Sequence, residues 1–531
     1  MEAEPNKFAQ FRASFVRRLI FIASACTTRN VIATVLLYGA LPISRVGTVS
    51  NAWLELETAG PTRVYLVDST GTAKTPQNGL AYHKGQEDHF IVPGRMTIEL
   101  PSGHYRVHAE RGPEHRPVTV EFNLRAGERR HVRLHPTRWI DMNARGWYSG
   151  DLHNHHNVDE IPTLLIAEDL NLTPTLVDWV WEDSQRSESP TTDAPIRSVD
   201  AHHVYSVLDK EVERLVEGPG AVDLLGLHSP IPFQGYRLYP PNTVFTEAAH
   251  GEGGYVDAEK IVWRDIPALV ALGQIDFAGI VYNHFNRQGV ELETDSWGMI
   301  PKWRTEFHTK AGMPLWAMEV YYHFLNCGFR LPVSAGSASG VKEAPLGYNR
   351  VYVHLKEPFS YAAWFRALKA GRSFATNGPF LFLIVAGLEP GATIKTRPGK
   401  KLRVRVEAKS LRALDRLEVI YRGRVIRSFQ HHNRRGDLVG TFEFAPPTDG
   451  WLAARVFEKP SRTIRFSHTS PVYLDLATPT TAAEDAKFFL EWIDREMHFY
   501  QASAAFRRDA DRVLMLDFFA KARAIYERMT R

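Results

Sequence analysis

Between Thr137 and Ala386 short apolar runs of strand character alternate with stretches of helical spacing. Such an alternation predicts a largely parallel α/β unit, because parallel neighbours need a long connection that a helix usually supplies. Residues 257–273 read as one such helix: Ile261, Ile266, Leu269 and Val270 fall near the helical period, and Gly273 stands where a helix would stop. On either side the pattern changes. Arg-Val-Tyr-Leu-Val at 63–67, Met-Thr-Ile-Glu-Leu at 96–100 and His-Tyr-Arg-Val-His at 104–108 are short alternating runs between turn formers, predicting a β-sandwich over 51–136. Leu-Arg-Val-Arg-Val at 402–406, Leu-Glu-Val-Ile-Tyr at 417–421 and Leu-Ala-Ala-Arg-Val at 452–456 predict a second sandwich over 387–478. Residues 479–531 are expected to be helical, with Phe488, Phe489, Trp492, Ile493 and Met497 on one apolar stripe that packs against the protein.

A chain of 531 residues suits several such units, at roughly 100 to 200 residues per domain. Apolar residues make up 44% and charged residues 23%, with a net charge of only +4, which excludes a disordered chain. The basic residues are scattered, so no nucleic-acid partner is expected. In the first 50 residues Arg17-Arg18 precede two apolar runs, an arrangement that reads as a weak export signal or leader. The expected location is therefore periplasmic or secreted, with a cytoplasmic location as the alternative. Both runs are shorter than the roughly 18 residues of a spanning helix, which leaves a membrane tether at 19–43 as the weaker reading.

With two cysteines, Cys26 and Cys327, neither a disulfide framework nor a thiolate zinc cage is available. Any metal must be held by histidine and carboxylate. In the segment Gly-Asp-Leu-His-Asn-His-His at 150–156, an extended backbone puts His153 and His155 on one face and turns His156 away. Two further strand-like runs, 222–228 and 275–284, end in His228 and His284. If these strands were parallel members of a barrel, the histidines at their C-terminal ends would converge on one mouth. His153, His155, His228 and His284 are therefore the candidate ligands, with Glu213 as the bridging carboxylate and Asp159, Glu160 and Asp178 as weaker alternatives.

Neutral imidazoles with a carboxylate suit one or two divalent transition ions such as Zn, Mn or Fe. Such an ion acidifies the water it binds and polarises an acyl or phosphoryl oxygen, so hydrolysis needs no serine or cysteine nucleophile. Motifs for other chemistries are missing: there is no G-x-S-x-G elbow, P-loop or G-x-G-x-x-G. His284 or Asp178 would assist proton transfer, and Arg350 or Arg372 would bind an anionic substrate group.

Gly-Trp-Tyr-Ser-Gly-Asp-Leu-His-Asn-His at 146–155, Tyr-Asn-His at 282–284, Leu-Asn-Cys-Gly-Phe-Arg-Leu-Pro at 325–332, Ala-Gly-Ser-Ala-Ser-Gly at 335–340, Gly-Tyr-Asn-Arg-Val-Tyr-Val at 347–353 and Gly-Arg-Ser-Phe-Ala-Thr-Asn-Gly-Pro at 371–379 together resemble the CehA/McbA-type metallohydrolases of the PHP superfamily. The resemblance spans residues 140 to 395. It implies a central distorted (β/α)7 barrel over 137–386, flanked by the two β-sandwiches, and metal-dependent cleavage of a small-molecule ester, carbamate or phosphoester. Carried over by position, His153, His155, Glu213, His228 and His284 are the implied ligands. Two positions depart from the pattern: Ala338-Ser339-Gly340 stands where an Asp-x-His pair is usual, and Asp178-Trp179 where Asp-His is usual. These departures imply fewer ions than three. They also motivate an alternative, a catalytically weak or inactive relative serving as a carbohydrate- or surface-binding module.

Overall fold

The computed structural model describes residues 51–187, 189–190, 192–292, 299–430, 436–478, 481–502 and 504–531. The leader expected at 1–50, with its membrane-tether and export readings, lies outside them. Among the described residues no helix is long and apolar enough to cross a membrane.

Alternation of inward and outward side chains builds the N-terminal part. In the strand Gly103–Glu110, Tyr105, Val107 and Ala109 are buried while Gly103, His104 and Arg106 face out. Three strands, ordered Arg95–Pro101, Asn51–Glu57, Arg129–Arg133, and five, ordered Ala81–Lys84, Glu87–Val92, Thr62–Asp68, Gly103–Glu110, Val118–Leu124, form two sheets. Leu54, Ile98 and Val132 from the first share one apolar core with Val64, Phe90 and Val107 from the second.

The central region corrects the expected barrel. Among the described residues no sheet closes on itself: the fold is mostly β, and its central strands lie in two open sheets. One runs Ser184–Ser187, Leu176–Trp181, Asp209–Arg214, Gly220–Leu225, Tyr255–Ala258, Phe277–Val281, Val333–Ala335. Within it Asp209–Arg214 pairs antiparallel with Gly220–Leu225, which pairs antiparallel with Tyr255–Ala258. The physical reason lies in residues 215–219, a connection too short for a crossover helix; it turns through Glu217 and Gly220, both at positive φ, and returns as a hairpin. The helix expected over 257–273 is likewise mostly absent. Asp257 and Ala258 belong to a strand that pairs with Phe277 and Ala278, and the helix is only Ile266–Ala271, begun by Pro267.

The second sheet joins the central region to the C-terminal strands. Trp147–Gly150 pairs with Arg350–His354, that strand with Ser373–Thr376, and the latter with Phe466–Thr469, followed by Gly450–Glu458 and Leu414–Tyr421. The C-terminal strands are thus continuous with the central ones through backbone hydrogen bonds. A three-stranded sheet, Phe380–Val385, Leu402–Lys409, Asp437–Phe444, covers them, and Leu383, Val404 and Val406 share a core with Val419, Leu452 and Val456.

Helices Ala483–Ala502 and Asp509–Met529 end the chain. The stripe of the first packs on helix Gly312–Asn326: Phe489 stacks on Phe324 at 4.2 Å and Trp492 lies parallel to Trp316 at 6.4 Å.

Candidate metal site

The strand Trp147–Gly150 delivers residues 151–156 to the end of the seven-stranded sheet, and three backbone anchors fix their course. Asp151 is fully buried and its carboxylate accepts N–H bonds from Ser337 (2.9 Å), Gly347 (2.7 Å) and His153 (3.2 Å). Leu152 N–H donates to the Ala335 carbonyl (3.1 Å), and His155 N–H donates to that of Ser339 (2.7 Å). Residues 335–340 therefore run beside 152–156, and the glycines there make the approach tolerable. A Cβ on Gly336 would fall 2.4 Å from His153 Cβ, and one on Gly340, at φ +100°, would fall 2.7 Å from the His155 carbonyl carbon.

The backbone here is extended, so the side chains alternate. His153 and His155 turn to one side and bring their Nε2 atoms to 3.0 Å, while His156 turns away to Glu160 (2.9 Å) and to the Ser339 hydroxyl (2.9 Å). Two ring nitrogens aimed at one point need something between them, either a shared proton or an ion.

The other wall is a row of acids. Glu211, Asp223 and Asp257 are in register on three adjacent strands, with Trp179 continuing the row on the fourth, so all four side chains share one face. Glu211 reaches both imidazoles, at 3.5 Å from His153 Nε2 and 3.0 Å from His155 Nε2. Asp223 lies 3.5 Å from His153 Nδ1, and Glu259 3.7 Å from the same nitrogen. Among the described residues His153, His155 and Glu211 form a group whose ligand atoms all lie within 4.8 Å of one another, and it could hold a metal ion.

The donor set fits such an ion. Glu211, Glu213, Asp223, Asp257 and Glu259 are all buried, and the one buried lysine among them, Lys260, is already bonded to Glu259 at 2.5 and 2.6 Å. Neither oxygen of Asp223 accepts a hydrogen bond. Buried carboxylates without partners are costly, and a cation relieves that cost. Burial, with the Glu211 charge second, pushes the carboxyls of Glu213 and Asp223 well above the usual range. Burial acts the same way on Glu211, but the flanking imidazoles of His153 and His155 outweigh it and hold that group down as the anion.

The predicted site residues are only partly gathered. Glu213 sits on the face of Glu211 and accepts from Trp179 Nε1 (3.2 Å), but it lies outside the three-residue group. His284 is buried, with Nδ1 making no hydrogen bond, and burial followed by the Lys260 charge keeps its ring neutral. His228 is exposed beyond Gly226, at φ +67°, and its N–H donates to Glu252 (3.2 Å). Asp178 faces away from Trp179 and is held by Lys210 (2.8 Å) and Gln185 (2.8 Å). Arg350 is buried and donates to the carbonyls of Gly347, Glu168 and Asp169, and Arg372 lies just before the strand Ser373–Thr376 with its Nε buried and unbonded. Of the weaker carboxylates, Glu160 is taken by His156, and Asp159 lines a cavity of about 520 Å³ that opens onto His155 between Trp179, Arg197 and Tyr205.

Sequence reasoning did not single out Glu211, Asp223, Asp257, Glu259 or Lys260. Glu211 had a visible signal, the Glu-x-Glu spacing in Lys-Glu-Val-Glu-Arg. Asp223 was hidden inside an apolar run.

No family model matches the chain, and no curated protein does. Among solved structures, a minor pilin from the Gram-positive pathogen Streptococcus agalactiae is similar over 17% of this chain and 46% of its own length, at 15% identity and a TM-score of 0.15. The match thus spans less than half of that pilin.

Proposed function

We propose that this protein is a metal-dependent hydrolase, with His153, His155 and Glu211 holding a divalent transition ion and an ester, carbamate or phosphoester as the bond cleaved. The observation that carries this reading is the convergence of two imidazole nitrogens and one carboxylate beside Asp223, a buried acid whose oxygens accept no hydrogen bond. Two imidazoles with a carboxylate match the preferences of Zn, Mn or Fe, and Asp223 or Glu213 offers a second ion its carboxylate. When bound, the ion would polarise the substrate's acyl or phosphoryl oxygen and acidify water.

The remaining work falls to the protein's own groups. The cavity beside His155 admits substrate between Trp179 and Tyr205, with Arg197 on its wall for a negative group. His284 is not assigned the proton-accepting part, since burial and the Lys260 charge hold its ring well below the usual imidazole range and disfavour the protonated form. Asp178 is not assigned a part, since Lys210 and Gln185 occupy both its oxygens. A side chain at position 340 has no room beside His155, so Gly340 contributes backbone rather than a ligand.

The test is metal content and turnover together. Protein purified from metal-replete medium is expected to carry about one equivalent of Zn, Mn or Fe and to cleave p-nitrophenyl acetate, a naphthyl carbamate or bis-p-nitrophenyl phosphate. His153→Ala with His155→Ala should lose both properties. Metal binding without turnover on any of the three would favour a binding module over an enzyme.

A further inference from the structure

A second cavity, of about 570 Å³, lies where the N-terminal sheets meet the strands around Thr376 and Glu458, and it shares no lining residue with the cavity at His155. Its size falls in the roughly 300–1,000 Å³ range of small-molecule sites. Its wall carries six arginines, Arg63, Arg116, Arg287, Arg350, Arg412 and Arg465, against three glutamates, Glu110, Glu168 and Glu458.

The acids are already taken. Arg63 bridges Glu110 and Glu168, both at 2.5 Å, and Arg287 adds a second contact to Glu110 at 2.9 Å. Arg350 is held by backbone carbonyls. Glu458 accepts the Ser410 hydroxyl at 2.6 Å and reaches Arg412 only at 4.0 Å. That leaves Arg465 and Arg116. Among the described residues neither has a carboxylate within 4 Å; each lies over an aromatic face instead, Arg465 over Tyr348 at 5.4 Å and Arg116 over Trp139 at 5.9 Å. Arg465 is half-buried, its Nε has no hydrogen-bond partner, and its stem rests where a Cβ on Gly378 would come within 3.1 Å. Two guanidinium groups lining one cavity, each over a ring and neither in an ion pair, form a ready receptor for a planar or tetrahedral anion.

We propose that this cavity binds a small organic anion through Arg465 and Arg116, the recognised group being a phosphate or a carboxylate. The site is separate from the metal cluster and does not depend on its chemistry. Calorimetric titration of the full chain, stripped of metal and exchanged into chelator-free buffer, with phenyl phosphate, phthalate and uncharged benzyl alcohol tests it. Saturable binding of at least one anion but not of the alcohol is expected, and the tighter of the two anions distinguishes phosphate from carboxylate. Arg465→Gln should weaken that binding about tenfold or more, from loss of a charge-assisted contact. Arg116→Gln, on the exposed rim, gives the same direction without risk to the core, and His153→Ala with His155→Ala should leave the affinity unchanged. The proposal is overturned if neither anion binds up to about 10 mM, if the alcohol binds as well as the anions, or if Arg465→Gln and Arg116→Gln both bind like the unaltered protein.

Discussion

Glu211 and Asp223 stand directly opposite each other on paired antiparallel strands, both buried, and each reaches the His153 ring at 3.5 Å, Glu211 at Nε2 and Asp223 at Nδ1. Two carboxylates in that relation repel unless a cation lies among them. Asp223→Asn removes a carboxyl that burial and the Glu211 charge push well above its usual range, so near pH 7 it should stabilise the metal-free protein by about 1–3 kcal/mol, and it should weaken metal binding at least tenfold. Thermal melts in EDTA and in excess Zn check both halves. A variant less stable than the parent in EDTA would show that the Asp223 carboxyl makes a net favourable contact in the metal-free fold.

Asp151 opens the histidine motif but acts through its neighbours. Its carboxylate gathers the N–H groups of His153, Ser337 and Gly347. Asp151→Ala would bury three donors without acceptors, each costing roughly 1–3 kcal/mol, so a loss of about 3–5 kcal/mol is expected after partial relaxation. Denaturant unfolding measures it. A loss below about 1 kcal/mol would mean that water replaces the carboxylate.

Gly336 is where the site tolerates no side chain, because its missing Cβ leaves the space that His153 Cβ occupies. Gly336→Ala is expected to cost about 1–3 kcal/mol by overpacking and to displace the His153 ring. Chelator competition should show weaker Zn binding with the ligands themselves intact. Unchanged affinity would place the clash elsewhere.

His468 supplies a pH signature remote from the cluster. It is fully buried, its Nδ1–H donates to the Thr469 carbonyl (2.7 Å) and its Nε2 accepts from the Tyr322 hydroxyl (2.8 Å). Burial, chiefly, holds its pKa down at about 3. The unfolded chain takes up this proton near pH 6.5 and the folded one does not, so the unfolded state is favoured as pH falls. The contribution is fully present above about pH 6.5 and lost on descent toward pH 3, by up to ~1.4 kcal/mol per pH unit. Unfolding midpoints between pH 4.5 and 7 should fall less steeply in His468→Gln than in the parent. Equal slopes would contradict this.

The histidine geometry was legible because it follows from alternation alone: two residues apart on extended backbone, His153 and His155 must face one side, and His156 must not. The apolar stripe of Phe489 and Trp492 was legible for the same reason, at the helical period. What depends on register was not. Glu211 and Glu213 share one face of one strand, and only the pairing of that strand with the strand of Asp223 decides which of them reaches the histidines. The barrel failed at an identifiable place, since Glu-Gly-Pro-Gly at 217–220 is a turn signal that makes an antiparallel hairpin where a parallel crossover was expected. Past Gly226 the chain leaves the site, and His228 goes with it.

Anomalous scattering at the Zn absorption edge, from crystals grown with one equivalent of Zn, tests metal binding most directly. The expected result is a single strong peak among His153 Nε2, His155 Nε2 and a Glu211 oxygen, at about 2.0–2.2 Å from each. A clean map with no peak among these three residues, or with its peak on exposed histidines such as His228, would contradict it.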